Sequence, residues 1–424
     1  MPFISTHNFG NEENIATAPY ARKAPYQYGW DWGPRFLTEG IWQPILLESW
    51  DSLRIDNFHI NQRKVTSDTA SLEAELAVEA SQSTTALISY AHSELSRRQS
   101  SDGSQTVQLD PGINQVFFAF RIAAPKRWYP VGYGTQDRYR FSTSIRLGHE
   151  TAARAEVTTG LRSLELRRQA DQWGKSFEFV VNGVSVFAKG ANVIPFDSFP
   201  NRVTPEVHRR ILEAARDAHM NMVREWGGGH YESDDSYDIC DELGILVWQE
   251  FMFGGDMVPG DIDFQENVRQ EAIDQIKRLR DHPSIVIWCG NNEIETGWYH
   301  WGDPQEFKES ISPETRDRVW QDYIIYVRGY SQESGNGVGR SHPVLAQFFQ
   351  RKFRGDPRQP AQRRHALLGC VASRGTRGVL HPATAAVHDR IRVSIVSGNA
   401  DHSDVCQTGR FRHTLYRHAG APEK

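Results

Sequence analysis

The periodicity of this chain changes twice, and the stretch between the two changes constrains the fold most. From about residue 175, apolar runs of strand length alternate with helical repeats. Residues 184–189 read as a strand. The helix after it takes Thr204 as N-cap and Pro205 in its first turn, with Val207, Ile211, Ala215 and Ala218 on one face. Residues 220–224 form the next strand, and a second helix opens at Ser233-Asp234-Asp235 and stops at Gly244. Residues 245–251 are a third strand, followed by a longer helix with Phe264, Val268, Ala272, Ile276 and Leu279 in a stripe. Residues 284–289 are the fourth, and a last helix runs from Pro313 to about Tyr326. Four consecutive strand–helix units predict a parallel sheet, and that count is half of a (β/α)8 TIM barrel, whose catalytic residues sit at the C-terminal ends of strands.

The flanks are of other kinds. Residues 1–50 are dense in aromatics, Gly and Pro around Tyr28-Gly29-Trp30-Asp31-Trp32-Gly33-Pro34, which predicts loops and short strands without a core of their own. Residues 51–158 carry the two-residue period of half-buried strands, as in 71–78 and 115–122. Turn signals at Ser101-Asp102-Gly103 and Asp110-Pro111-Gly112 complete the pattern of a small β-sandwich. After residue 335 the order lapses. Residues 336–424 hold 15 Lys+Arg against 5 Asp+Glu in a chain whose net charge is −5, and only 390–396 keep a strand period. This basic tail has few aromatics and no nucleic-acid reader module, so it reads as out-of-frame or mispredicted sequence without persistent structure, not as a nucleic-acid arm.

Composition narrows the setting. The four cysteines, Cys240, Cys289, Cys370 and Cys406, are scattered with no Cys-x-x-Cys pair, which argues against a zinc site or disulfide scaffold and for a reducing compartment. With no signal-like segment at the N-terminus, no Asn-x-Ser/Thr sequon and no apolar run of membrane length, the expectation is a cytoplasmic protein that is not membrane-bound.

The chemistry concentrates in Trp288-Cys289-Gly290-Asn291-Asn292-Glu293. A strand there ends in an amide–carboxylic acid pair, with Trp298 and Trp301 just beyond. Such a group suits glycoside hydrolysis, in which one carboxyl protonates the leaving oxygen and a second carboxylate acts on the other face of the sugar. Apolar walls such as Trp288 and Trp298 would raise the acid's pKa and keep it protonated near neutrality. Glu250 ends the neighbouring strand and reads as a supporting group more than as a replacement nucleophile. Cys289 reads as a small buried filler beside the site.

Several motifs appear in a fixed order: Arg22-Lys23-Ala24 through Gly29-Trp30-Asp31-Trp32-Gly33-Pro34, then Lys189-Gly190-Ala191-Asn192. Asn221-Met222-Val223-Arg224-Glu225-Trp226-Gly227-Gly228-Gly229 follows, then Trp248-Gln249-Glu250-Phe251-Met252-Phe253 and Trp288 to Glu293. Over residues 15–325 or so the chain thereby resembles the β-mannosidases of glycoside hydrolase family 2. The resemblance implies a remnant of a jelly-roll sugar-binding domain over 1–50, an immunoglobulin-like β-sandwich over 51–158, the first half of a catalytic (β/α)8 barrel over 159–335, and an aberrant tail over 336–424. It implies removal of terminal non-reducing β-D-mannose from β-mannosidic oligosaccharides with retention, without metal or cofactor. Glu293 would be the general acid/base and Asn292 would bond the sugar 2-OH. Asp31 and Trp30 would reach over from the first domain, Trp226, Trp298 and Trp301 would wall the subsites, Asn192 would line the sugar site, and Arg224 would orient the nucleophile.

Plainer readings stand beside these: Asp31 as a turn residue, Trp226 and Trp301 as core aromatics, Arg224 in a structural ion pair. The chain also departs from the family pattern. Val193 replaces a Trp after Asn192, and Glu225 stands where an apolar strand residue is expected. The family's nucleophile lies in a Ser-Glu-aromatic-Gly context, and Glu295, Glu306, Glu309, Glu314, Glu333 and Glu423 all lack it. Two alternatives therefore remain: a sugar-binding remnant without turnover, or another family 2 exoglycosidase such as a β-galactosidase or exo-glucosaminidase.

Overall fold

The structure is a computed structural model, and it describes residues 18–95, 100–172, 174–333 and 391–396. After short 3-10 turns at Ala18–Tyr20 and Pro25–Tyr28, strand β1 (Ile45–Trp50) leads into seven strands. These are β2 (Leu53–Val65), β3 (Thr69–Ala80), β4 (Thr84–Glu94), β5 (Ser100–Leu109), β6 (Gly112–Ala123), β7 (Tyr139–Leu147) and β8 (Glu150–Thr159). They make two antiparallel sheets, ordered β2-β3-β6 and β5-β4-β7-β8. The alternation seen in sequence puts Leu72, Leu76, Ile88, Phe118, Phe120, Phe141 and Ile145 into one shared core.

Asp110-Pro111-Gly112 turns as expected, with Gly112 at φ 97°. Ser101-Asp102-Gly103 does not turn. It lies inside β5, where the ladder with β4 slips by one residue between Tyr90 and Ala91 and so accommodates Asp102. Asp102 there accepts from the His92 backbone N–H at 2.5 Å.

A small antiparallel sheet, β9 (Leu164–Arg167), β10 (Glu178–Val181) and β11 (Val184–Val186), follows in the order β11-β10-β9. The expected strand over 184–189 is thus corrected. Asn182 and Gly183, at φ 54° and 82°, close a tight hairpin that spends 184–186 on β10. The first parallel strand is β12 (Gly190–Val193), and β13 (Met222–Glu225), β14 (Leu246–Glu250) and β15 (Ile285–Cys289) lie beside it in sequence order. Among the described residues this sheet is open, with β12 and β15 at its edges.

The helices are α1 (Pro205–Asp217), α2 (Asp234–Leu243), α3 (Ile262–Leu279), α4 (Ile294–His300), α5 (Gly302–Ser310) and α6 (Pro313–Glu333). Helix α2 follows Ser233 and is capped at its C-terminus by left-handed Gly244, whose N–H donates to Cys240 O. In α1 the residues fully inside are His208 and Leu212, while Val207, Ile211 and Ala215 are half-buried and Ala218 is exposed. Every residue of β15 is buried, which is why it reads as a continuous apolar run. Of the basic tail, 334–390 and 397–424 lie outside the described residues; Ile391–Val396 is strand β16, parallel to β1. No helix among the described residues is long and apolar enough to cross a membrane.

The sandwich grips the parallel sheet at the N-terminal ends of its strands. Arg162, just past β8, is buried and donates Nε to Pro283 O and Nη2 to Ile285 O, each at 2.6 Å. His59 Nδ1 and the Ile60 N–H meet Asp281 at 2.9 and 3.2 Å. Replacing Arg162 by Ala leaves two buried carbonyls unpaired, at about 1–3 kcal/mol each. Arg162→Ala is expected to lower the unfolding free energy by about 3 kcal/mol in a urea titration. A loss under about 0.5 kcal/mol would show that the grip does not matter.

Candidate active site

The C-terminal ends of the parallel strands gather most of the sequence-predicted site residues. Asn192 of β12 is the register partner of Arg224 of β13, and Arg224 is the partner of Trp248 of β14. Side chains alternate along a strand, so Glu250, two residues beyond Trp248, shares the face of Arg224 one pleat further up. The guanidinium uses that geometry. Arg224 Nε and Nη2 reach Glu250 Oε1 at 2.9 and 2.6 Å. Its Nη1 donates to Asn192 Oδ1 at 3.0 Å, and Nη2 to Asn292 Oδ1 at 2.8 Å. Arg224 thus has partners in three other strands or strand ends, and its plainer reading as a structural ion pair matches the contact with Glu250.

Glu250 is completely buried. Its second oxygen accepts the Gly227 N–H at 2.7 Å. Burial pushes its carboxyl up to about 7, and Arg224, the Gly227 N–H and the Cys289 thiol offset only part of that rise.

Glu293 follows Asn292 at the exit of β15 and is the N-cap of α4, with φ 58° and ψ 13°. A non-glycine residue in the left-handed region costs on the order of 1 kcal/mol, and such strain collects at functional sites. The surroundings enforce it. The Asn292 N–H donates to Phe253 O at 2.9 Å and the Gly297 N–H to Glu293 O at 2.8 Å. Asn291 Oδ1 accepts from the Ile294 N–H at 3.3 Å, and Asn291 Nδ2 donates to the Tyr323 hydroxyl at 3.4 Å. The Glu293 carboxyl is exposed, with Asn292 Nδ2 3.5 Å from Oε2.

The two tryptophans expected as apolar walls are both buried. Trp288 is buried against Phe251, rings 5.7 Å apart, and Trp298 is buried against Trp320 at 6.0 Å, so both are core aromatics. Strand alternation inside an all-buried strand sends Trp288 inward, and the short α4 turns Trp298 under itself. Trp301 is half-buried, and its ring lies on Gly297, where a Cβ would come within 2.8 Å.

The N-terminal segment docks on the same end of the sheet. The Trp30-Asp31-Trp32-Gly33 stretch is a tight turn closed by reciprocal bonds between Trp30 and Gly33 at 3.1 and 3.2 Å. Trp30 and Trp32 both meet the buried Trp226 edge-on, at 4.7 and 6.0 Å, which leaves Asp31 exposed at the tip. Arg22 makes a two-pronged pair with Glu271 of α3, at 2.8 and 2.6 Å, and donates to Met252 O at 2.7 Å.

Glu271 was missed in the sequence, although a carboxylate beside Ala272 in the apolar stripe of α3 was the signal available. Glu225 is buried as flagged, and burial and the nearby Glu232 push its carboxyl well above the usual range. His208 Nε2 pairs with Glu232 at 3.0 Å behind it. A cavity of about 570 Å³ lies between the N-terminal segment and the sheet, lined by Arg22, Lys23, Gln27, Trp42 and His230 among others. Its lining includes none of Glu293, Asn292 and Arg224, so the cluster of strand-end residues, not this cavity, is the candidate site.

Residues 53–162 match the model of glycosyl hydrolases family 2, and residues 4–43 match the family 2 galactose-binding domain-like model. This chain carries glycosyl hydrolase family 2 domains. It is 36% identical to a β-mannosidase of Bos taurus over 294 residues, 66% of this chain and 33% of that protein. It is 38% identical to β-mannosidase B of Emericella nidulans over 272 residues, 64% of this chain and 32% of the relative. Among solved structures, the β-D-mannosidase of Dictyoglomus thermophilum superposes with a TM-score of 0.63 at 36% identity, covering 74% of this chain and 39% of that one. A Bacteroides uniformis β-glucuronidase, 18% identical with a TM-score of 0.55 over 66% of this chain and 33% of that one, shares the fold. The chain spans about one third of the length of the curated relatives it matches.

Two outcomes test the geometry of this strand-end cluster. A Cβ on Gly227 would lie 2.7 Å from Phe253 O, 2.8 Å from Phe251 O and 3.1 Å from Glu250 Oε2. Backbone cannot yield cheaply there, so Gly227→Ala is expected to destabilise by about 1–3 kcal/mol; a thermal midpoint unchanged within a degree would refute the packing. Glu250 has its folded pKa near 7, above the ordinary 4.5. Its stabilising contribution is therefore full below pH 4.5 and is lost as pH rises to about 7. Wild-type stability relative to Glu250→Gln should fall by about 3 kcal/mol across that window. A pH-independent difference would mean that Glu250 titrates normally.

Proposed function

We propose that this chain is the acid/base-bearing part of an exo-acting, retaining β-mannosidase that acts on terminal β-D-mannose of β-mannosidic oligosaccharides. In this reading residues 1–50 are the end of a jelly-roll sugar-binding domain, 51–158 an immunoglobulin-like sandwich, and 159–335 the first half of a (β/α)8 barrel with its catalytic face at the strand C-termini. The observation that carries it is the Asn292–Glu293 pair, fixed through Arg224 at a strand end, in a chain 36% identical to β-mannosidases.

In the proposed reaction a nucleophilic carboxylate bonds to the anomeric carbon as the glycosidic bond breaks and the leaving oxygen takes a proton from Glu293. The Glu293 carboxylate then takes a proton from the water that releases the sugar. Exposure of the carboxyl lets it reach a bound substrate and exchange protons between the two steps. Asn292 Nδ2, beside the acid, is available to the sugar 2-OH, a contact that strengthens in an oxocarbenium-like transition state. Asp31, held at the tip of its turn by Trp30 and Trp32, is offered to the sugar from the first domain. Trp301, Trp226 and Asn192 complete the sugar surroundings.

A retaining reaction needs a second carboxylate. Glu250 is not free for that role, because Arg224 occupies one of its oxygens and the Gly227 N–H the other. That observation favours, as a second reading, a sugar-binding protein without turnover.

The test is release of nitrophenol from 4-nitrophenyl β-D-mannopyranoside by wild type and Glu293→Gln, with β-galactoside and β-glucosaminide analogues alongside. Turnover of the mannoside, reduced at least about 100-fold in the variant, is the expected outcome. No turnover with retained binding of methyl β-D-mannoside would establish the second reading, and preference for another glycoside would move the chain to a different family 2 activity.

A further inference from the structure

Glu250 sits behind the site and touches neither the acid nor the opening, yet every orientation in front of it traces back to this side chain. A guanidinium has donors only. Arg224 therefore accepts nothing from its neighbours, and an asparagine that bonds to it must turn its oxygen inward. Both do: Oδ1 of Asn192 at 3.0 Å and Oδ1 of Asn292 at 2.8 Å face Arg224. Their amino groups are left pointing away from it, and Asn292 Nδ2 lies 3.5 Å from Glu293 Oε2. What holds Arg224 itself is Glu250, through two N–H donors on one carboxylate oxygen. Glu250 is pinned in turn by the Gly227 N–H at 2.7 Å on its other oxygen.

We propose that Glu250 is a positioning residue which, by clamping Arg224, locks the carboxamides of Asn192 and Asn292 with oxygen inward and amino group outward, so that the sugar 2-position meets a hydrogen-bond donor. The kinetic part of this proposal rests on the glycosidase reading above. The orientation part does not. A flipped Asn292 would set its oxygen against the Glu293 carboxylate, and toward the sugar it could accept from the 2-OH but no longer donate to it. Glutamine at 250 keeps the volume but brings an amino group against either Arg224 or the Gly227 N–H, so at most one of the two anchors survives. The ionisable groups facing Glu250 are Arg224 from β13 and the Cys289 thiol from β15. Of these, the carboxyl is the one that burial brings to neutrality.

The experiment uses the full chain labelled with 15N-asparagine, its Asn192 and Asn292 side-chain signals assigned by Asn192→Asp and Asn292→Asp. The expected result is that both signals shift with one common midpoint near neutrality in wild type. The midpoint should survive Glu293→Gln and vanish in Glu250→Gln. Asn192 contacts Arg224 but not Glu293, so a common midpoint distinguishes Glu250 from the acid. In parallel, kcat on an aryl β-D-mannoside should fall about tenfold or more in Glu250→Gln and in Arg224→Lys, with little change in KM. On the 2-deoxy analogue the same variants should match wild type.

Asparagine signals that do not share a midpoint, or equal losses on both substrates, would overturn the proposal. The wild-type titration needs no variant to fold. If wild type hydrolyses neither substrate, the activity reading fails while the two asparagine signals still decide the role of Glu250.

Discussion

The Arg224–Glu250 pair is the contact on which the rest of the strand-end cluster depends. Separating charge inside a protein is expensive, and removing one partner of a buried pair costs several kcal/mol because the other is stranded. Here the pair is placed by strand register: Asn192 and Arg224 are level on β12 and β13, and Glu250 lies two residues beyond Arg224's partner Trp248 on β14, so all three share a face. Loops then close over it. The Gly227 N–H caps the carboxylate, and the Asn292 carboxamide arrives from the end of β15. The polar interior of the face is thus built from rigid strands, and the exposed Glu293 stands at its rim.

Around that face the other parts act as clamps on opposite ends of the sheet. Arg162, His59 and Asp281 bind the sandwich to the entry of β15, while Arg22, Glu271 and the Trp30–Trp226 contact bind the N-terminal segment at the exits. Both use Arg with several partners, as expected where a cation must be buried and held in a fixed direction. The N-terminal clamp gives the Gly-Trp-Asp-Trp-Gly-Pro stretch its logic. Two tryptophans anchor a turn too small to have a core, and the aspartate between them is carried to the outside.

Much of this was legible where a local rule decides the outcome. Ser233 and Gly244 delimit α2 within a residue, the stripe from Phe264 to Leu279 marks α3, and the apolar run to Cys289 marks β15. The reading failed where the decision is made by something distant. Residues 184–186 have the composition of a parallel strand, but the Asn182-Gly183 turn hands them to β10. Asp102 and Gly103 look like a turn until the β4 ladder absorbs them as an irregularity. Trp288 and Trp298 were read as apolar walls around the acid because they adjoin it in sequence; only packing shows that Phe251 and Trp320 lie against them. Arg22 and Glu271 are 249 positions apart, beyond any local pattern. Arg224, by contrast, could be read as an ion-pair residue, since a cation at a strand end must find an anion, and Glu250 is that anion.

The left-handed backbone at Glu293 carries a consequence for how this position tolerates change. A glycine there would sit without strain, and asparagine nearly so, whereas glutamate must be held in place by the bonds from Asn292, Gly297 and Asn291. Ranked by folding alone, glycine would stand above the residue that is present; ranked by chemistry, the order inverts. The carboxyl is therefore mounted on a sprung turn, and its direction is set by main-chain geometry.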